Sequence, residues 1–293
     1  MNNQEFLTRA LASSECPKDF EQMYAEFCGY QKLALDALKE FHRVCELNHI
    51  LYSVAFGTMI GCIREGGQIP WDYDIDVMVP LEQRDDLVNA LKKDLEPNFY
   101  FVCPEVDPKC RHYFIRVAPK GYRSEFLHVD VFYFTGAPDS EEERKRLAKR
   151  YGELCRHRYT RYVDVSIASY GKLRRRGILL LRKVQSYGYS MKKEYDEFHS
   201  CAKKYPLRES KYVLRTDGFG WGNIYNKGHF RIFYAEDFAA TELMKTNCGE
   251  FRLFSGYDRI LKEVYGDYMK RPPVESGIRE IVKEMSRLRN SKL

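Results

Sequence analysis

The segment from residue 71 to residue 79 restricts the fold more than any other part of the chain, because acidic and apolar side chains alternate along it in the order WDYDIDVMV. Successive side chains of a β-strand point to opposite faces, so Asp74 and Asp76 project together while Ile75 and Val77 point into a core. Two ionised carboxylates side by side repel each other unless a cation lies between them, and their hard oxygen ligands suit Mg²⁺ or Mn²⁺. The segment therefore predicts a strand with a metal site, although an Asp-x-Asp pair alone is a weak signal.

Two further segments strengthen this prediction. Alternation over Phe126–Phe134 places His128, Asp130, Phe132 and Phe134 on one face of a strand and Leu127, Val129 and Val131 on the other. An unpaired carboxylate is costly in the middle of such a strand, so Asp130 is predicted to be a third carboxylate of the same site. The small residues Gly57 and Thr58 follow a short apolar run, where backbone N–H groups can approach a phosphate closely.

The remaining periodicity predicts an α+β fold with a mixed sheet, flanking helices and a basic helical segment. Strands are expected at Leu51–Phe56, at Ile75–Val79, and in a hairpin of His112–Val117 and Phe126–Phe134 around Gly121. Helices are expected at Gln31–Asn48, Arg84–Leu95, Ala235–Leu243 and Tyr257–Tyr265.

Composition excludes several classes of protein. The nine cysteines include no CxxC pair, which favours a reducing compartment over a disulfide framework. The longest stretch without a charged residue, 47–63, is shorter and more polar than the roughly 20 apolar residues that span a bilayer. The first residues show no basic and apolar signal segment, so we expect a cytoplasmic protein.

The positive charge is concentrated between residues 141 and 193. This basic segment holds 16 Lys and Arg against five Asp and Glu, whereas the whole chain has a net charge of +6. The excess predicts an anionic neighbour, either a phosphate-bearing ligand, nucleic acid or a membrane surface, or else a solvated helical face without a partner. Its densest cluster contains Arg174, Arg175 and Arg176.

Residues 50–80, ILYSVAFGTMIGCIREGGQIPWDYDIDVMVP, closely resemble the signature of the LicD family, which includes the fukutin-type proteins and belongs to the nucleotidyltransferase superfamily. FLHVDVFYF around Asp130 and the tail GYDRILKEVYGDYMKRPP are similar to the family as well, so the resemblance covers about 30–135 and 225–275. Tyr73 stands where the family usually has Asp, and Phe56 stands where a small residue is usual and could narrow the donor pocket.

The resemblance implies a single LicD-type domain over residues 1–293. Its parts would be N-terminal helices at 1–48, a nucleotidyltransferase-like core at about 49–135, a basic helical segment at about 136–205 and a closing part at about 206–293. It also implies an enzyme that transfers an alcohol phosphate such as phosphocholine from a CDP-alcohol such as CDP-choline. The acceptor would be a sugar hydroxyl of a cell-surface glycoconjugate, for example lipopolysaccharide or teichoic acid.

On this interpretation Asp74, Asp76 and Asp130 hold Mg²⁺ or Mn²⁺, and Asp130 also takes the acceptor proton. The residues expected to contact the donor are Gly57, Thr58, Arg64, Trp71 and Asp72. The alternative for Arg64 is an ion pair with Glu65, and that for Trp71 is packing beneath the metal-binding loop. Arg174, Arg175 and Arg176 are expected to face a glycan or lipid-linked glycan acceptor and to bring the enzyme to the inner membrane face.

Other interpretations remain open from the sequence. A true nucleotidyltransferase would attack the α-phosphorus of its donor, and a non-catalytic protein would bind an anionic surface or nucleic acid through the basic segment, although we expect no nucleic-acid partner. Cys103 and Cys110, with Cys155 and His157, form either part of a zinc site or ordinary buried thiols. The aromatic residues Phe219, Trp221, Tyr225, Phe230, Phe233 and Tyr234 form either core or a cage for a quaternary ammonium group.

Overall fold

The computed structural model describes residues 1–168, 172–216 and 230–292. Among these residues, seven strands form the central sheet: β1 (Ser53–Val54), β2 (Ile75–Pro80), β3 (Phe99–Val102), β4 (Ile115–Pro119), β5 (Val129–Ala137), β6 (Tyr212–Arg215) and β7 (Phe233–Tyr234). The order is β1-β2-β5-β4-β3, and β6 pairs with the C-terminal half of β5 and with β7. Of the strand pairs that the described residues form in this sheet, only β2 and β5 are parallel, and the others are antiparallel.

Helices surround this sheet, and a two-stranded hairpin outside the sheet packs against β1. The described helices are α1 (Asn3–Leu11), α2 (Phe20–Leu47), α3 (Phe56–Ile60), α4 (Arg84–Asp94), α5 (Glu141–Tyr162), α6 (Val165–Ala168), α7 (Leu173–Ser186), α8 (Met191–Lys204), α9 (Ala235–Phe238), α10 (Tyr257–Tyr265) and α11 (Val274–Leu288). The hairpin consists of β8 (Thr241–Thr246) and β9 (Gly249–Phe254). This arrangement confirms the predicted α+β class. No helix of the described residues is long and apolar enough to cross a membrane.

The core lies where the apolar faces of β2 and β5 meet the helices. Ile75, Val77, Val129 and Val131 are 1% exposed or less, as the alternation predicted. Removing such side chains from water is the main favourable contribution to folding, at roughly 25 cal/mol per Å² of apolar surface. On the opposite faces, Asp76 and Asp130 stand near the N-terminal ends of the two strands, whereas Met78 and Phe134 further along are buried.

Several predicted elements are wrong in their extent. The strand expected at Leu51–Phe56 pairs only at Ser53 and Val54, because Phe56 takes a left-handed backbone (φ +49°) and begins α3. Gly57 and Thr58 consequently belong to a helical turn. The helix expected at Ala235–Leu243 ends at Phe238, since the next residues pair in the β8–β9 hairpin. The helix at Tyr257–Tyr265 has the predicted bounds. A further helix, α11, follows it and was not predicted.

Candidate active site

Three carboxylates meet at one edge of the paired strands β2 and β5. Asp76 lies beside Asp130 in the parallel register, and Asp74 immediately precedes β2. Neighbouring strands run about 4.8 Å apart, and side chains in register project to the same side of the sheet. All three carboxylates line a cavity of about 600 Å³. The other lining residues are Phe56, Tyr73, Arg111, His112, Phe114, Arg116, Glu125, His128, Phe132, Tyr159, Arg215, Val264, Tyr265 and Arg287.

Asp130 is held by two cationic or polar neighbours. Arg116, in register with it on β4, donates a hydrogen bond from Nε to Asp130 Oδ1 at 2.8 Å. His128 Nε2 lies 3.1 Å from the same oxygen and 3.9 Å from Asp74 Oδ1. The Arg116 guanidinium is fixed in turn because Nη1 donates to the Ser124 carbonyl at 3.2 Å. Asp130 therefore has a set orientation on the cavity floor.

The three carboxyl groups differ in proton affinity. Desolvation in the cavity raises the pKa of Asp74 to about 6, although half of its side chain is open to the cavity. Burial, together with the charges of Asp74 and Asp130, raises the pKa of Asp76 well above its usual range. Burial acts on Asp130 in the same direction, but Arg116 and His128 outweigh it and hold the pKa of Asp130 below its ordinary value. The negative charges of Asp74 and Asp76 are thus less fully compensated than that of Asp130.

This imbalance fits a divalent cation bound by Asp74 and Asp76. Hard oxygen ligands bind Mg²⁺ and Mn²⁺, and these ions commonly use one or two carboxylates together with phosphate oxygens of a substrate. No group of three His, Cys, Asp or Glu side chains within the described ranges is arranged to hold a metal ion by itself.

Arginine and aromatic side chains form the remaining walls, and the sequence analysis did not single out the four arginines, Tyr159 or Tyr265. Arg111, Arg215 and Arg287 come from segments that are distant in sequence, and Arg215 lies over the Phe56 ring with Cζ 4.0 Å from the ring centroid. Tyr265 is the last residue of α10, inside the C-terminal segment similar to the family. The observed register of β4 and β5 places Arg116 opposite Asp130, whereas the predicted hairpin around Gly121 would place it opposite Phe126.

Gly57, Thr58 and Asp72 lie behind the carboxylate pair. They line a separate recess of about 20 Å³ that shares Asp74 with the main cavity. Thr58 Oγ1 accepts a hydrogen bond from Asp76 N at 3.0 Å, and Asp72 Oδ1 accepts one from Asp74 N at 3.1 Å. A Cβ on Gly57 would come within 2.6 Å of Asp72 Oδ2, so a larger residue here would displace the Asp72 carboxylate. These residues set the backbone that carries Asp74 and Asp76, and their contact with a donor stays a prediction.

Arg64 and Trp71 do not line the main cavity. Arg64 pairs with Glu65 (Nε to Oε1, 2.6 Å) and donates from Nη1 to the Tyr268 carbonyl at 2.8 Å, so the ion pair considered as its alternative is present. Trp71 packs against Phe6, with ring centroids 5.3 Å apart, in agreement with packing beneath the carboxylate loop. For these two residues the structure provides structural contacts and no support for contact with the donor.

Tyr73 occupies the position at which the family usually has an Asp. Its hydroxyl donates a hydrogen bond to Glu284 Oε2 at 3.3 Å, and Tyr73 lines the cavity. Loss of a carboxylate at this position leaves Asp74 and Asp76 in place. Phe56 also lines the cavity, which is the position that narrowing of a donor pocket by its ring requires.

The cysteine hypothesis is not supported. Cys110 Sγ donates to the His112 carbonyl at 3.4 Å, Cys155 Sγ donates to the Thr216 carbonyl at 3.3 Å, and His157 Nδ1 lies 2.7 Å from Glu194 Oε1. Together with Cys103 they are not arranged as a metal site within the described ranges, and both cysteines of the predicted pair are free and buried. Ordinary buried thiols are the interpretation that holds.

The remaining predicted residues lie elsewhere. Phe219, Trp221 and Tyr225 of the aromatic cluster are outside the described residues, whereas Phe233 is buried in the core. Arg174, Arg175 and Arg176 are exposed on α7, and Arg174 and Arg175 line a second cavity that shares Tyr159 with the main one.

Comparison with known proteins agrees with this geometry. The model of the LicD/FKTN/FKRP nucleotidyltransferase domain matches residues 49–161, which contain β1 to β5 and all three carboxylates. The chain is similar to the lipopolysaccharide cholinephosphotransferase LicD of Haemophilus influenzae, at 26% identity over 264 residues that cover 84% of this chain and 92% of the relative. Residues 49–161 are therefore a nucleotidyltransferase domain of the LicD family, as the sequence resemblance predicted.

Proposed function

We propose that this chain is a metal-dependent transferase that moves an alcohol phosphate, phosphocholine or a similar group, from a CDP-alcohol to a sugar hydroxyl of a cell-surface glycoconjugate. One observation carries the proposal: three aspartates and four arginines line a single cavity with aromatic walls. The similar Haemophilus protein is a lipopolysaccharide cholinephosphotransferase, which supports the choice of the transferred group and of a glycan acceptor.

The proposed reaction is an in-line displacement at the β-phosphorus. The acceptor oxygen forms a bond to this phosphorus and releases its proton to water, the bond to the bridging oxygen breaks, and CMP leaves with that oxygen and the electron pair of the broken bond. Such transition states are loose, so positioning and charge neutralisation contribute more than a strong base. Mg²⁺ or Mn²⁺, held by Asp74 and Asp76, would neutralise the diphosphate.

The chain's own residues would bind and orient the two substrates. Arg215 and Arg116 can bind diphosphate oxygens, because guanidinium groups match phosphate geometry. The aromatic walls, including Phe132 and Tyr159, can stack on cytosine or face a quaternary ammonium group. Asp130 would hold Arg116 and His128 in place and complete the metal site. Its lowered pKa makes it a weak base, so we do not assign it the acceptor proton.

The test is a measurement of CMP release from a panel of CDP-alcohols in the presence of Mg²⁺, with and without glycan acceptors. We expect CMP and a phosphodiester-linked glycan, loss of both on treatment with EDTA, and recovery when Mg²⁺ or Mn²⁺ is added. The Asp76→Asn variant is the matched control for contaminating hydrolases. A nucleotidylated acceptor would establish attack at the α-phosphorus instead, and CMP release that EDTA leaves unchanged would exclude the metal.

A further inference from the structure

Helix α7 exposes an apolar stripe on the side that faces away from the protein. Leu173, Leu180, Val184 and Tyr187 are 82%, 49%, 69% and 65% exposed. Their spacing of seven, four and three residues places them on one side of α7, whose C-cap is Tyr187. Among the described residues, the segment 173–189 supplies seven of the fifteen large apolar side chains that remain exposed. Such a concentration on one short helix indicates a surface that is covered in use.

The same helix is strongly cationic. It has no acidic residue, and only Leu179 and Ser186 are buried, so most of its side chains are open to solvent. Within the described part of the chain, the side chains of Arg174, Arg176 and Arg182 have no ion pair and no hydrogen bond. At helical spacing Arg174 and Arg176 border the apolar stripe, whereas Arg182 lies on the opposite side, in the cavity next to α5.

A second cavity, of about 550 Å³, extends this positive surface between α5 and α7. Arg156, Lys172, Arg174 and Arg182 contribute to its walls, with apolar Ile178 and Leu179. Cations that have no acidic partner hold anions in such a cavity at little cost in rearrangement. Because Tyr159 borders both this cavity and the candidate active site, anions bound here would lie next to the site.

We propose that α7 docks the protein on the surface of a bilayer that contains anionic lipids. An apolar face flanked by arginine and lysine is the pattern of helices that lie in the membrane interface, with the apolar side chains among the acyl chains and the cations at the phosphate level. Fourteen residues are too few to span a bilayer, so the helix lies on the membrane. The charge of the flanks selects an anionic surface over a zwitterionic one. This inference does not depend on phosphate transfer.

The test is co-sedimentation of the full chain with vesicles of phosphatidylcholine containing 30% phosphatidylglycerol, compared with pure phosphatidylcholine. We expect binding to the anionic vesicles at low salt and at least about tenfold weaker binding in 0.5 M NaCl, because screening weakens the charge contribution. Leu180→Ser/Val184→Ser and Arg174→Gln/Arg176→Gln should each reduce the bound fraction at least about fivefold. CMP release from the free donor should be unchanged in Leu180→Ser/Val184→Ser, which lies outside the candidate active site.

Two matched controls separate the helix from general surface effects. Leu11→Ser/Leu47→Ser removes apolar side chains that are 48% and 57% exposed at the ends of α1 and α2, and Lys92→Gln/Lys93→Gln removes two charges near the end of α4. Both should bind vesicles as the wild type does. Equal binding to both vesicle types, no binding at all, or equal losses in variants and controls would overturn the proposal. So would a concentration-dependent dimer in sedimentation velocity that Leu180→Ser/Val184→Ser abolishes, since a second copy would then cover the stripe.

Discussion

Arg116 donates a 2.8 Å hydrogen bond to Asp130 across the adjacent strands β4 and β5, and Asp130 lies in register with Asp76 on the other side. The β4–β5 pair therefore compensates the charge of Asp130 through Arg116, whereas the β2–β5 pair brings the less compensated carboxylate of Asp76 beside it. The difference separates the roles of the three acidic residues, because Asp74 and Asp76 can attract a cation while Asp130 is already paired. The predictions below depend on this separation.

Asp74→Asn and Asp76→Asn should each lose metal binding and reduce turnover about 100-fold or more, because each removes charge that holds the cation at the diphosphate. Electrostatic contributions of this kind are worth about 3 kcal/mol. The melting temperature should not fall, since both changes relieve repulsion between neighbouring carboxylates. CMP release, calorimetric titration with Mn²⁺ and thermal unfolding followed by circular dichroism check these outcomes. Wild-type turnover in either variant with Mg²⁺ present would contradict the assignment.

Asp130→Asn should damage both activity and stability. The change leaves the Arg116 guanidinium, which is 13% exposed, without its partner, and breaking such a pair costs about 3 kcal/mol of unfolding free energy. The double variant Arg116→Met/Asp130→Asn should recover much of the melting temperature and none of the turnover. If Asp130→Asn loses stability alone, with normal turnover per folded molecule, Asp130 is a structural residue and not a third member of the metal site.

The alternation of side chains made the centre of the site predictable from the sequence. Asp74, Asp76 and Asp130 line one cavity, and Val129 and Val131 are buried behind it, because the period of two along a strand needs no knowledge of the partner strands. Arg116 could not be found by counting across the predicted hairpin, because a turn centred on Gly121 would place Arg116 opposite Phe126, whereas the strands pair it with Asp130. Arg215 could not be found either, since it reaches the cavity only through pairing of β6 with β5, about 80 residues away in sequence.

The errors at the C-terminal end have local causes. Acidic residues at positions 236 and 237 favour the start of a helix, which the sequence analysis extends to Leu243. Cross-strand pairing from Thr241 to Phe254 overrides this local helical preference. Helix α11 was missed although Ile278, Ile281, Met285 and Leu288 repeat at helical spacing and are 1% exposed or less. That pattern was readable from the sequence.

Stability should fall on acidification through the titration of His199. Burial lowers the pKa of His199 from its ordinary 6.5 to about 4. Between these values the unfolded chain binds a proton that the folded chain does not, so the free energy of unfolding falls as the pH drops from 6.5 towards 4. One such group contributes at most about 1.4 kcal/mol per pH unit.

His199→Gln should therefore unfold with a weaker pH dependence than the wild type across this window, and with an equal dependence above pH 7. Urea unfolding at intervals from pH 4.5 to 8 measures both slopes. Parallel curves for the two proteins would show that His199 titrates normally in the folded state.

Phe56 should control both local strain and the size of the donor pocket. Its φ of +49° is unfavourable for a bulky side chain, and its ring lies between Arg215 and Phe132, with a centroid distance of 5.9 Å to the latter. Phe56→Ala loses the ring and keeps the strained backbone, whereas Phe56→Gly loses the ring and relieves the strain. We therefore expect Phe56→Gly to be more stable than Phe56→Ala by about 1 kcal/mol in urea unfolding. Both variants should open the cavity and raise KM for the preferred CDP-alcohol relative to bulkier ones. If the two variants are equally stable, the left-handed conformation carries no strain, and unchanged donor preference would place the alcohol away from Phe56.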